Sequence, residues 1–499
     1  MLALAIRWLR TRLRGFLGQS VLDDLRDCIT ALEAMPEAER RRMAAMGRIN
    51  LPSRGLLAQW IAFLGRYDEA IAYAEGVLED RAAVSAVRRN ELGGASIAMA
   101  LAHAGLGRPA AARTAFATSR EQFLAIDSSF MTASTLKWEL LEVALAYAAD
   151  DRDGAQRLLA EYTRTMARMS SFAVFRGAQP LLQVFAPAML AGQWDEVGES
   201  ALAYLHVPAW RVAALAALGD LERRQGRAES AWGRVRSGIP AGVATDPGNL
   251  YFVDSLALQR LAAELALDAG DLAAALPWIE AHDRWLDWSG RVLDRAASAL
   301  LRARYHATAG DHTGAELLAR QARSLATEPR QPLALLAAER FLGALARDAG
   351  DFADAERHLD AALALADTCA APYERALTRL EQARLLAAQA RGDEASPLLD
   401  EARATFARLG AAPALAAVET VETVVAPAPP PRDNIPAGLS PREVEVLRLV
   451  ARGLSYAEVA EQLYISPNTV ARHLQSIYTK LGVDSRAAAA AFAFAHGLV

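Results

Sequence analysis

One short pattern returns nine times in the first four fifths of the chain: a helical run ending in Gly or Asp, four mostly polar residues, then in most instances Ala. The copies are GRYDEA at Gly65, GRPAAA at Gly107, DDRDGA at Asp150, GQWDEV at Gly192 and GRAESA at Gly226. They continue as GDLAAA at Gly270, GDHTGA at Gly310, GDFADA at Gly350 and GDEASP at Gly392. Their spacings are 42, 43, 42, 34, 44, 40, 40 and 42 residues. A pitch this even commits the chain to repeated units, because self-similarity at 20–50 residues is the mark of a stacked array.

The unit is readable around Gly350. Leu342, Leu345 and Ala346 keep helical spacing, Gly350 supplies a left-handed stop, and Asp351 is placed to cap the next helix. Ala355, Leu359, Ala362, Leu363 and Ala366 then make one apolar stripe. The chain holds about 110 alanines without matching Gly or Pro enrichment, which favours closely crossing helices over low complexity. A lone hairpin buries too little, so neighbours must stack. The expectation is an all-α, right-handed superhelical array of about nine helical hairpins over residues 51–423. Residues 1–50 form an atypical capping unit, and the spacing of 34 marks a shortened unit or a break.

Composition fits a folded chain. Of 499 residues 53% are hydrophobic, far above the disordered range. Cys28 and Cys369 stand apart, which supports neither disulfides nor a Cys-rich metal site and suits a reducing cytoplasm. The longest uncharged run, from Gly177 to Trp194, is broken by Pro180 and Pro187, so no membrane span is expected. The N-terminal Arg7, Arg10, Arg12 and Arg14 lie among apolar residues; a first helix docking on its neighbour is preferred to one lying on a membrane. Trp278, Trp285 and Trp288, beside His282 and Asp283, read as packing between repeats, with a ligand cage as the alternative.

The repeat gives way at 424–438 to VVAPAPPPRDNIPAG, whose five prolines make it a stiff linker. Beyond it, residues 439–499 carry explicit helix signals. Ser440, Pro441 and Glu443 open a helix that buries Val446, Leu447 and Val450 and stops at Gly453. Ser455 and Glu458 open a second, burying Val459, Ala460 and Leu463. Ser466 and Pro467 open a third that ends at Gly482, and a fourth covers roughly 485–496. The tight join between the second and third is a helix-turn-helix.

In the third helix Val470, Leu474, Ile477, Tyr478 and Leu481 form a buried stripe. About 130° away on the helical wheel lie Asn468, Ala471, Arg472, Gln475 and Thr479. Arg suits guanine, and Asn or Gln suits adenine, in a major groove. Lys480 and Arg486, near the end, are placed for phosphates.

The helical hairpins resemble the tetratricopeptide family at a longer pitch. The run LSPREVEVLRLVARGLSYAEVAEQLYISPNTVARHLQSIYTKLGVDSR resembles the LuxR-type (GerE-like) helix-turn-helix domain throughout. The pieces that carry this are L-S-P-R-E, E-V-L-x-L-x-A-x-G, I-S-x-x-T-V and H-x-x-x-I-Y-x-K-L-G-V. The resemblance implies double-stranded DNA as partner and puts Thr469, Arg472, Gln475 and Lys480 on DNA-contacting positions. The family commonly has Lys after T-V, where this chain has Ala471. The whole arrangement resembles the C-terminal half of MalT-like regulators. Their ATPase module is not expected, since neither Lys137 nor Lys480 sits in a G-x-x-x-x-G-K-[ST] loop.

The functional expectation is a cytoplasmic transcriptional regulator. The repeat domain senses an effector or protein partner, and the DNA-binding domain works as a homodimer alongside RNA polymerase. The alternative is an interaction scaffold whose C-terminal domain has lost DNA binding, with Ala471 in its favour. No catalytic, cofactor or metal residues are assigned: His306 and His312 fit no H-E-x-x-H, and no G-x-S-x-G elbow occurs. The net charge of -5 divides into -6 before Ala437 and +1 from there on, with +2 within 466–486.

Overall fold

The computed structural model describes residues 3–4, 6–7, 10–11, 14, 22–36, 38–39, 53–80, 85–169, 185–207, 210–248, 250–425 and 436–498. The chain divides into two units, Met1–Val425 and Ala426–Val499. Most of the expected capping segment and residues 426–435 of the expected linker lie outside the described residues.

In the first unit α1 (Leu22–Glu33) precedes the repeats and buries Leu22, Leu25, Cys28 and Ile29. Nine hairpins follow among the described residues: α2 and α3 (Arg54–Phe63, Tyr67–Glu79), α4 and α5 (Ala86–Gly105, Pro109–Leu124), and α6 and α7 (Ser129–Glu139, Arg152–Met169). The next are α8 and α9 (Phe185–Leu190, Trp194–Tyr204), α10 and α11 (Arg211–Arg224, Ala228–Gly238), and α12 and α13 (Phe252–Asp268, Leu272–Ser289). The last are α14 and α15 (Arg295–Thr308, His312–Thr327), α16 and α17 (Pro332–Asp348, Phe352–Thr368), and α18 and α19 (Pro372–Ala388, Gly392–Leu409), with α20 (Ala412–Val425) beginning a further unit. Helix α6 continues through a π turn, Leu140–Leu145, to Ala148.

The local chemistry works as its residues dictate. Gly350 takes φ +79°, and the Asp351 carboxylate accepts from the Asp354 amide at 3.1 Å. Asp271 and Asp311 cap α13 and α15 in the same way. Five residues after the turn sits a fully buried alanine in most hairpins: Ala70, Ala112, Ala231, Ala275, Ala315, Ala355 and Ala395. Helix α15 buries only Ala315, Ala319, Ala322 and Ala326, a stripe small enough to bring helix axes close.

The last turn differs from the sequence reading. Gly392 is the first residue of α19, and the left-handed position belongs to Ala390, at φ +58°. The turns at Gly270, Gly310, Gly350 and Ala390 thus keep one period, and Ala395 falls in the same slot as Ala355.

A longer-range order is superimposed on the stacking. The first hairpin's turn, Gly65, meets the Phe252 ring at the start of α12; a Cβ on Gly65 would lie 2.3 Å from that ring. Gly107 meets Val292 and Pro329, and the Arg330 guanidinium pairs with Asp150. Gly192 meets Pro372, and Gly226 meets Pro413. Each of the first five turns therefore packs near the opening of the unit five places later. Arg291, 3% exposed, anchors this contact. It donates to the Tyr67 hydroxyl at 2.8 Å, Glu142 at 2.9 Å and Asp294 at 3.0 Å.

The tryptophans resolve mainly as packing. Trp285 is fully buried, stacks on Phe252 at 5.5 Å, and donates to the Thr245 carbonyl at 3.0 Å. Trp278 lies 6.5 Å from Trp232, and Trp288 remains partly exposed beside Phe252.

The second unit holds α21 (Pro441–Ala451), α22 (Tyr456–Leu463), α23 (Pro467–Leu481) and α24 (Arg486–Ala495). Its core gathers Val446, Leu447, Val450, Val459, Val470, Leu474, Ile477, Ala489 and Ala493.

Candidate nucleic-acid interface

Every helix of the second unit starts on a serine cap. Ser440 and Glu443 make a reciprocal capping box on α21, and Ser455 and Glu458 make one on α22. Ser466 caps α23, accepting from the Thr469 amide at 3.1 Å while its hydroxyl meets that of Thr469 at 2.8 Å. Ser485 caps α24. Between α22 and α23 the chain turns at Tyr464, a left-handed residue at φ +53° whose ring is 96% exposed. Ser466 and the left-handed Gly482 thus fix where α23 begins and ends.

Val470, Leu474 and Ile477 are buried, with Tyr478 and Leu481 partly so. On the other side Asn468, Arg472, Gln475 and Thr479 are exposed, and Thr469 and Ala471 are half-buried. Arg472 and Gln475 make no side-chain hydrogen bond or ion pair among the described residues, so their donors and acceptor face solvent. The Thr479 hydroxyl donates to the Gln475 carbonyl at 2.9 Å.

The two end cations are held differently. Lys480 donates to Glu443 Oε2 at 2.6 Å, and Ser476 donates to Glu443 Oε1 at 2.6 Å. Glu443 is 4% exposed. Burial opposes its charge, but hydrogen bonds from Lys480, Ser476 and Ser440 outweigh it and hold its carboxyl at about 2. Arg486 donates to the carbonyls of Val450 and Leu454, closing the end of α21, and lies 5.9 Å from the Tyr456 ring centroid. Both side chains expected at phosphates are therefore engaged inside the unit. Arg442 and Arg448 also have internal partners, which leaves Arg452 and Arg472 as the unpaired cations among the described residues of this unit.

Sequence reasoning found the exposed face and the caps. It missed that Glu443, visible as half of a capping box, also braces α23 from one turn below its end. Its spacing from Lys480, 37 residues, gives no local signal.

Residues 437–493 match the family described as bacterial regulatory proteins, luxR family. Over 362 residues the chain is 28% identical to a protein of Mycobacterium tuberculosis (strain ATCC 25618 / H37Rv) designated an HTH-type transcriptional regulator, Rv0890c. That alignment covers 70% of this chain and 36% of the relative, so the chain spans about a third of the length of the curated relative it matches. Over 61 residues, 12% of this chain and 28% of the relative, it is 49% identical to the transcriptional regulatory protein NarL of M. tuberculosis (strain CDC 1551 / Oshkosh). Among solved structures, a Rap protein complexed with competence and sporulation factor aligns with 74% of this chain and 96% of its own, at 13% identity and a TM-score of 0.33.

Proposed function

We propose that the chain, which ends in a LuxR-type helix-turn-helix domain, is a sequence-specific DNA-binding transcriptional regulator. The observation that carries this is α23 itself: a capped helix with three apolar residues buried and Arg472 and Gln475 exposed without internal partners. In a major groove Arg472 addresses guanine and Gln475 adenine, with Asn468, Thr469 and Thr479 flanking them. Lys480 acts chiefly by holding α23 against Glu443 and adds a phosphate contact only where DNA competes with that carboxylate, while Arg486 acts chiefly by closing the end of α21.

Such a unit is only slightly basic and binds weakly alone, so two copies on paired half-sites supply avidity. The exposed side of α24, with Ala487, Ala491 and Phe494, is the self-association face; Phe494 is 61% exposed. The repeat unit binds an effector and controls this pairing in the cytoplasm, and the DNA-bound dimer acts on RNA polymerase.

A second reading, an interaction scaffold without specific DNA binding, has Ala471 and the internal engagement of Lys480 and Arg486 in its favour. Gel shifts on genomic fragments separate the two, comparing the full chain with one ending at Pro431. A specific site bound by the full chain alone supports the regulator. No specific site, with or without cell extract, supports the scaffold.

A further inference from the structure

The even pitch of the array fails once, at the 34-residue spacing between Gly192 and Gly226, and a cleft opens there. Helices α9 and α11, the second helices of the two hairpins concerned, have 11 residues each, against 16–18 in α13, α15, α17 and α19. They are shorter than those counterparts by roughly one and a half to two turns. The cleft has a volume of about 510 Å³, within the range of small-molecule sites.

Its lining suits an anion. Ser230, Gly233, Arg234 and Ser237 line it from α11 at i, i+3, i+4 and i+7, one face of that helix. Arg211 lines it from the first turn of α10, and His206 from the turn after α9. No carboxylate of the described residues lines it. The Arg211 guanidinium donates to the Ser237 hydroxyl at 2.8 Å and has no ion-pair partner among the described residues. Arg234 donates from Nε and Nη2 to the buried Glu222 carboxylate at 3.1 and 2.8 Å, which holds its guanidinium in place and leaves Nη1 without a partner among the described residues. Glu222 thus cancels the Arg234 charge, while that of Arg211 is uncompensated. Helix α10 begins at Arg211 without a side-chain cap, so its positive end borders the same cleft.

Gly233 points the same way. Glycine weakens a helix interior, and the other glycines of this hairpin have a packing reason: a Cβ on Gly219 or Gly238 would lie 2.3 Å from Leu261 or Leu258. A Cβ on Gly233 would meet nothing within 4 Å. Packing within the chain gives no reason for a bare backbone at this position. A molecule lying along α11 does.

The donor set narrows the class. One guanidinium satisfies a carboxylate, which has two oxygens; two guanidiniums and two hydroxyls suit the three oxygens of a phosphoryl group. No aromatic ring lines the cleft, so the remainder of the molecule is polar rather than a stacked base. We propose that this cleft binds a small organic phosphate monoester. Its phosphoryl group meets Arg211, Arg234 Nη1 and the hydroxyls of Ser230 and Ser237, and its hydroxyl-bearing body lies along Gly233 towards His206. This names the effector class, and it rests on the reading of the repeat unit as an effector-binding domain.

Calorimetric titration of the full chain with glycerol 3-phosphate and glucose 6-phosphate tests it, alongside glycerol, glucose, gluconate and inorganic phosphate. At least one monoester binds, the uncharged parents do not, and gluconate and inorganic phosphate bind about tenfold more weakly. Arg211→Gln weakens the monoester by about tenfold or more, the scale of lost hydrogen bonds to a charged group. Gly233→Leu fills the cleft and abolishes binding while its thermal midpoint holds or rises, since the new side chain enters open space and favours helix. Arg236→Gln, on α11 but paired with Glu229 rather than lining the cleft, binds as the wild type does. Absence of binding by both monoesters at millimolar concentration overturns the proposal, as does undiminished binding in Gly233→Leu or equal binding of inorganic phosphate. If both monoesters are silent while the small-molecule fraction of a cell extract alters DNA binding, this ligand class fails and the effector reading stands. If a monoester binds with this pattern of variants yet leaves DNA binding unchanged, the site stands and the effector reading fails.

Discussion

The Glu443 carboxylate accepts from the Lys480 ammonium at 2.6 Å, joining the first turn of α21 to the last turn of α23. One buried side chain thus caps one helix and fixes the angle of the helix that presents Arg472 and Gln475. Glu443→Gln keeps much of the shape but removes the charge, and should destabilise the second unit by about 2 kcal/mol, the scale of charged hydrogen bonds. Because the folded carboxyl is held at about 2, below its unfolded value, its contribution is fully present above roughly pH 4.3. It fades as pH falls from there towards about 2. Hydrogen-exchange protection of residues 467–481 across this window checks both points: the wild-type chain should lose protection on acidification, and the variant should start lower and change less.

Arg472 and Gln475 differ from Lys480 in what their removal should do. Arg472→Ala and Gln475→Ala should relax sequence preference at one position each, by about 1–3 kcal/mol of discrimination. Lys480→Ala should leave sequence preference unchanged and weaken all sites evenly. Its effect on the slope of binding against salt should fall short of the full unit given by a free phosphate contact, since Lys480 already pairs with Glu443. Titrations on matched and single-mismatch sites at several salt concentrations separate the three.

Phe494 is the largest apolar side chain left exposed on α24. Phe494→Glu should leave the core formed by Ala489 and Ala493 intact, while placing like charges face to face in a symmetric pair. Sedimentation of the full chain with DNA bearing two half-sites should show one protein per duplex for the variant and two for the wild type. Two copies bound by the variant would remove α24 from the interface.

What could be read in advance was whatever has a local signature. Serine caps with glutamate three residues on, glycine turns at an even pitch and an apolar stripe in α23 depend on neighbours within one or two turns, so the sequence displays them. Ala390 escaped because an alanine occupies a left-handed position where glycine is expected, with Gly392 standing nearby as a decoy. The packing of Gly65 on Phe252, and of each early turn on the unit five places later, depends on how tightly the array winds. That winding is the sum of many small inter-helix angles and leaves no periodic trace. Lys480 and Arg486 looked like phosphate ligands because charge is visible in a sequence and the partner of a charge is not.

Ala390→Gly should stabilise the first unit by about 1 kcal/mol, relieving the clash of Cβ in left-handed backbone. Gly350→Ala should cost a similar amount, since its φ of +79° is matched by open space where a Cβ would stand. Gly65→Ala should cost more than either, because its Cβ would also meet the Phe252 ring at 2.3 Å. Denaturant midpoints for the three variants should fall in that order, and equal losses for Gly350→Ala and Gly65→Ala would deny the close approach of the first turn to α12.

Arg291 joins the connection after α13 to the first and third hairpins, through Tyr67 at 2.8 Å and Glu142 at 2.9 Å. Replacing it by methionine fills part of the space but leaves the Glu142 carboxylate buried without its partner. Breaking one side of a buried pair costs about 3–5 kcal/mol. The effect should also be specific in place, because Arg291 holds early hairpins to late ones while each hairpin keeps its own neighbours. Arg291→Met should therefore expose the segment 290–294 to proteolysis while α16 to α19 stay protected. An exposed pair is the control: Arg236 and Glu229, at 60% and 85% side-chain exposure, should tolerate Arg236→Ala with a change of about 0.5 kcal/mol or less. Were Arg291→Met as mild as Arg236→Ala, the winding of early turns onto later units would have to rest on the turn contacts at Gly65, Gly107, Gly192 and Gly226 and on the Arg330–Asp150 pair.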